Sequence, residues 1–167
     1  MIADFHWGDF VNVFTKGSLV MRGKQDEEDV APTSNGEITV RAQPRLLFGT
    51  AGGAIGVLAT LSEKDFTLLD RLQVAMNEVV TGVGSAGQKF LDWRAFRGGN
   101  KTHPCKGFID GDLVEMLLEM NNSDVEKVVE LMNKGLAEKT GSVVTDEPPR
   151  VNSTQLINLV EELARLH

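Results

Sequence analysis

The chain has 167 residues, 41% hydrophobic and 25% charged, with a formal net charge of −7. That balance suits a folded globular protein rather than a disordered one, and the acidic surplus argues against a broad electrostatic footprint for nucleic acid. Cys105 is the sole cysteine, so no disulfide forms within the chain. No apolar run approaches the ~18 residues of a membrane span, and no basic-then-apolar leader opens the sequence. No membrane partner is expected.

The early residues alternate short apolar segments with turn formers. Phe10-Val11-Asn12-Val13-Phe14 has strand composition, and Thr15-Lys16-Gly17 is expected to turn it into a second strand, Ser18-Leu19-Val20-Met21. Lys24 to Asn35 reads as a solvated, charged loop, with Glu37-Ile38-Thr39-Val40 extending a strand beyond it. Leu46-Leu47-Phe48-Gly49 and Ala54-Ile55-Gly56-Val57-Leu58 flank Thr50-Ala51-Gly52-Gly53, a hairpin signal because glycine tolerates positive φ.

The period turns helical near Leu61. Ser62 and Asp65 suit a capped start, and Leu68, Leu69, Leu72, Met76, Val79 and Val80 fall on one side, opposite Asp70, Arg71, Asn77 and Glu78. Gly82, Gly84 and Gly87 end that helix, and a short one is expected over Gln88 to Phe96. Asp110 or Asp112 caps a third, with a Leu113, Met116, Leu117, Met120 stripe. Ser123 and Glu126 form a capping box for a fourth, which carries Val125, Val128, Val129 and Met132. Lys139 to Arg150 is a linker, and Ser153 or Thr154 caps a final helix bearing Leu156, Ile157, Leu159, Val160, Leu163 and Leu166.

The fold class is therefore mixed, β then α. Residues 1–61 supply four or five strands, too few to close a fold alone, and are expected to be the final blade of a larger β-propeller. Residues 62–167 are expected to form a helical domain of about five helices.

No catalytic arrangement emerges. Gly82 to Gly87 matches G-x-G-x-x-G, but a helix rather than a strand precedes it, so a turn between helices is the better reading. Asp110 and Asp112 lack the further acidic positions of a calcium loop, and acidic residues at a helix start suit the dipole. His103-Pro104-Cys105 lacks further metal ligands and a base for the thiol, and is read as a loop with a lone cysteine. Arg94, Arg97, Lys101 and Lys106, around Trp93 and Phe96, are read as solvated charges about a buried aromatic anchor rather than a base-stacking surface. No enzyme activity, cofactor or metal is expected.

Four stretches carry a family resemblance: F-H-W-G-D-F-V-N-V-F-T-K-G-S-L-V-M, L-F-G-T-A-G-G-A-I-G, W-R-A-F with K-T-H-P-C-K-G-F-I-D-G-D-L-V-E, and L-I-N-L-V-E-E-L-A-R-L-H. Together they resemble the C-terminal end of the damage-specific DNA-binding proteins, large propeller adaptors of cullin-4 ubiquitin ligases. More distant relatives act in polyadenylation and splicing. The resemblance implies the end of a third propeller followed by a helical domain, in a protein of the nucleus and also the cytoplasm. It implies substrate receptors as partners, with Phe10, Asn12, Val13 and Ala51 facing them, Ala51 standing where the family leads one to expect a larger aliphatic. The remainder of the propeller would be a further partner. Cullin would bind only through segments absent here, and nucleic acid at most indirectly. The alternative is a nucleic-acid-binding propeller protein of the RNA-processing branch. On an ideal strand Phe10 and Asn12 share a face and Val13 points the other way, so a role for Val13 requires a bulge or a strand end.

Overall fold

The computed structural model describes residues 4–5, 7, 9–20, 43–81, 89–91, 105–139 and 150–165. Three strands, β2 (Val11–Lys16), β3 (Gln43–Thr50) and β4 (Ile55–Thr60), form an antiparallel sheet in that spatial order. A separate two-stranded ladder joins β1 (Asp4–Phe5) to β5 (Cys105–Lys106). Among the described residues the fully bounded helices are α1 (Glu63–Val79), α2 (Gly111–Glu115) running into a 3-10 turn at Met116–Glu119, α3 (Asn122–Lys139) and α4 (Ser153–Ala164).

The expected hairpin over Thr50 to Gly53 forms. Gly53 takes φ 90°, the left-handed region that favours glycine, and Thr50 and Ala54 close the turn through Thr50 N–H to the Ala54 carbonyl at 2.9 Å. The expected turn at Thr15 to Gly17 does not. β2 continues through Lys16 to pair with Leu46 of β3, and Leu19 and Val20 are not in a strand. The partner of β2 lies far along the chain, where its apolar residues meet those of β3. The Glu37–Val40 segment and the charged loop before it lie outside the described residues.

Register assigns the faces of the sheet, because directly paired residues project to the same side. Phe14, Phe48 and Gly56 form one cross-strand row. A Cβ on Gly56 would sit 2.2 Å from the Phe48 ring, so glycine is what lets that ring lie across β4. From Phe48 a chain of rings leads toward the helices: Trp7 at 4.0 Å between centroids, Phe5 at 4.8 Å from Trp7, and Phe108 at 5.8 Å from Phe5. The β1–β5 ladder runs beside this stack. Cys105 is thus part of a strand paired with Phe5, not a loop residue; the ladder was hidden because its two halves are a hundred residues apart in sequence.

The helices share their own core. Leu72, Met76, Leu113, Val128, Leu156 and Val160 are fully buried there, joined by Phe90 and Val151. Ser62 caps α1 as expected, accepting from Asp65 N–H at 3.2 Å. The other caps shift by one or two residues toward asparagine. Asn121, not Ser123, accepts from the Asp124 amide ahead of α3 (3.0 Å). Asn152, not Ser153 or Thr154, forms a reciprocal box with Gln155 ahead of α4. In both places the asparagine stands three residues before a side chain or amide that completes the cap, which places the serine inside the first turn. Asp110 occupies the cap position of α2 but makes no side-chain cap bond, so its carboxylate does not serve as the capping acceptor.

Two polar residues of α1 face inward. Arg71 lies partly buried rather than opposite the core, donating from Nη2 to the Met132 carbonyl of α3 at 2.9 Å, and desolvation lowers its pKa. Gln73 is buried between α1 and the segment leading into α2: Nε2 donates to the Phe108 carbonyl (3.4 Å) and Oε1 accepts from Asp110 N–H (2.6 Å). Gln73→Leu removes the acceptor from a buried amide, so it is expected to lower stability by about 1–3 kcal/mol in urea unfolding; a change under about 0.5 kcal/mol would show that the clamp is dispensable. Of the short helix expected over Gln88 to Phe96, only Lys89 to Leu91 are described: Phe90 and Leu91 are helical, while Lys89 bridges to Thr81 instead. The glycine-rich turn at 82–87, the basic and aromatic residues from Trp93 to Lys101, His103, and most of the linker lie outside the described residues.

Candidate partner-docking site

The four residues singled out above fall at one end of the sheet. Phe10 immediately precedes β2, and its carbonyl accepts from the Ala51 amide at 2.8 Å, which ties it to the tip of the β3–β4 hairpin. Val11 is opposite Thr50 and Val13 opposite Gly49, so two steps along β2 match one along β3 and Asn12 is the extra residue of a β-bulge. The bulge puts Val11 and Val13 on opposite faces. Alternation then carries Phe10, one residue before Val11, to the side of Val13. The bulge that a role for Val13 requires is therefore present.

All four are exposed, Phe10 at 72% and Val13 at 54%. Val13 is one wall of a row in which Gly49 is the floor and Ile55, 71% exposed, the other wall. A Cβ on Gly49 would approach Val13 Cγ1 to 3.3 Å, so the glycine keeps this row shallow. Large apolar side chains left this exposed at adjoining positions mark interaction surfaces more often than chance scatter does. Sequence reasoning missed Ile55 as a surface residue, because its place beside Gly49 depends on the register.

Asp9 was missed as well. Its carboxylate accepts from Phe10 N–H at 2.7 Å (Oδ1) and from Gly52 N–H at 2.8 Å (Oδ2), and the Thr50 hydroxyl donates to it. These bonds, the Thr50 one foremost, hold its pKa below the ordinary 3.8. The sign follows from that direction. A carboxyl whose folded pKa is depressed contributes above its unfolded pKa and loses that contribution as pH falls through the folded value. The Gly52 amide proton resonance is therefore expected to titrate with a midpoint below 3.8 and to stop titrating in Asp9→Asn. A midpoint at or above 3.8 would mean the carboxylate gains nothing from these donors.

Among the described residues no group of three His, Cys, Asp or Glu could hold a metal ion, and no helix is long and apolar enough to cross a membrane. What the sheet end offers is an apolar contact area beside an amide.

A bulged hairpin end is joined by a ring stack to the segment that leads into α2. Residues 1–119 match the family model described as the CPSF A subunit region, and the chain belongs to that family. Over its whole length it is 34% identical to DNA damage-binding protein 1a of Arabidopsis thaliana, 36% to DNA damage-binding protein 1 of Solanum lycopersicum and 32% to the protein of that name from Oryza sativa subsp. japonica. It spans 12% of the length of each of these relatives.

Proposed function

We propose that this chain is a non-catalytic adaptor segment of a cullin-4 ubiquitin ligase that docks substrate receptors for ubiquitination and serves the response to damaged DNA in the nucleus. Residues 1–61 are the end of a β-propeller, and residues 62–167 are the helical domain that holds it. Receptors meet Phe10, Asn12, Val13 and Ala51, with Ile55 extending the contact. Cullin binds through parts of the longer proteins that this chain does not match. One observation carries the reading: exposed Phe10, Val13 and Ile55 gather at the bulged end of a sheet in a chain similar to DNA damage-binding proteins.

A photo-reactive residue at position 10 tests it, with a second at position 74 as control, because Val74 is also exposed (59%) but sits on α1. Position 10 is expected to cross-link a substrate receptor in cells and position 74 is not. Equal labelling from both positions, or RNA in place of receptor at position 10, would contradict the reading and favour the RNA-processing branch.

A further inference from the structure

We infer that Asp9 is the positioning residue of this docking surface: its carboxylate clamps the backbone of Phe10 to the hairpin tip, so that Phe10 and Ala51 are presented to a partner as one preformed unit. The inference rests on the docking reading above and adds to it the group that sets its geometry.

The bonds form a closed circuit. Asp9 Oδ1 accepts from Phe10 N–H, and Oδ2 accepts from Gly52 N–H, 43 positions away. The Phe10 carbonyl accepts from Ala51 N–H. Thr50 links the circuit to the turn, donating its hydroxyl to Asp9 while its oxygen accepts from Ala54 N–H at 3.1 Å. An ionised carboxylate is suited to this place because it only accepts, and the donors around it converge on its two oxygens. Gly52 is shaped to the same contact: a Cβ there would fall 2.5 Å from Asp9 Oδ2. Phe10 precedes β2, so its N–H turns to Asp9 rather than to a ladder partner. Without Asp9, a partner would have to order this residue on binding, and preorganisation lost in this way appears as weaker affinity.

Asp9 lies on the surface and outside the helical core, so removing its carboxylate should alter binding more than folding. The test measures binding of a purified cullin-4 substrate receptor to the 167-residue chain and to D9A, D9N, G52A and F10A, with melting temperature and amide exchange of each free protein. D9A and G52A are each expected to weaken binding about tenfold, with unchanged melting temperature and faster exchange at Phe10 and the residue 52 amide. D9N keeps one acceptor oxygen and should recover part of the loss. Wild-type affinity in D9A beside weakened F10A would overturn the role of Asp9 and leave the docking reading standing. Unchanged affinity in F10A would overturn both. A lowered melting temperature in D9A with no recovery in D9N would make Asp9 merely structural.

Discussion

Phe48→Ala is expected to destabilise the sheet by about 3–5 kcal/mol, the usual range for emptying a buried aromatic site. Phe48 is 8% exposed, while Val13, Phe14 and Ile55 on the same three strands are each more than half exposed. Its ring lies on Gly56, meets Trp7 at 4.0 Å and Phe14 at 6.3 Å, and so anchors the sheet to the stack that reaches Phe108. Truncation would take from Trp7 one of the two rings packed against it, leaving Phe5. A small sheet has little other burial to fall back on. Amide exchange should show β2, β3 and β4 losing protection while α1 and α4 keep theirs. Simultaneous loss in strands and helices would show that the two parts unfold as one.

The second large effect belongs to the helices. Leu72 has no exposed surface and sits in the cluster shared by α1, α2, α3 and α4. Leu72→Ala removes the transfer free energy of its side chain and leaves a cavity lined from several sides, so a loss of about 2–5 kcal/mol is expected. Leu72→Met, which nearly conserves volume, should cost less than about 1.5 kcal/mol. Urea unfolding followed by helical circular dichroism reads both. A loss below about 1 kcal/mol for the alanine variant would mean that the helices close over the gap.

Local signals were legible where the chemistry is local. The two glycines after Ala51 announced the hairpin, Ser62 announced the start of α1, and the apolar stripes of α1, α2, α3 and α4 were read from their spacing. Features made by contacts distant in sequence were not. Pairing of β2 with β3, where the sequence suggested a strand from Ser18 to Met21, depends on residues 30 to 39 positions apart. Arg71 and Asn77 look like solvent-facing positions on a helical wheel, yet Arg71 bonds the Met132 carbonyl and Asn77 Oδ1 accepts from Leu91 N–H at 3.1 Å. Asn121 and Asn152 lost to neighbouring serines as expected caps because all these residue types are good caps, and only geometry separates adjacent ones. At the candidate site the exposed residues came from family resemblance. Asp9 and Ile55 emerged only once the hairpin tip and the register were known.

Hydrogen exchange on the chain with and without a purified cullin-4 substrate receptor tests the docking surface most directly. Protection is expected in the peptides covering Phe10 to Val13 and Thr50 to Ile55, with α1 and α4 unchanged. Protection confined to the helices, or none anywhere at saturating receptor, would contradict it.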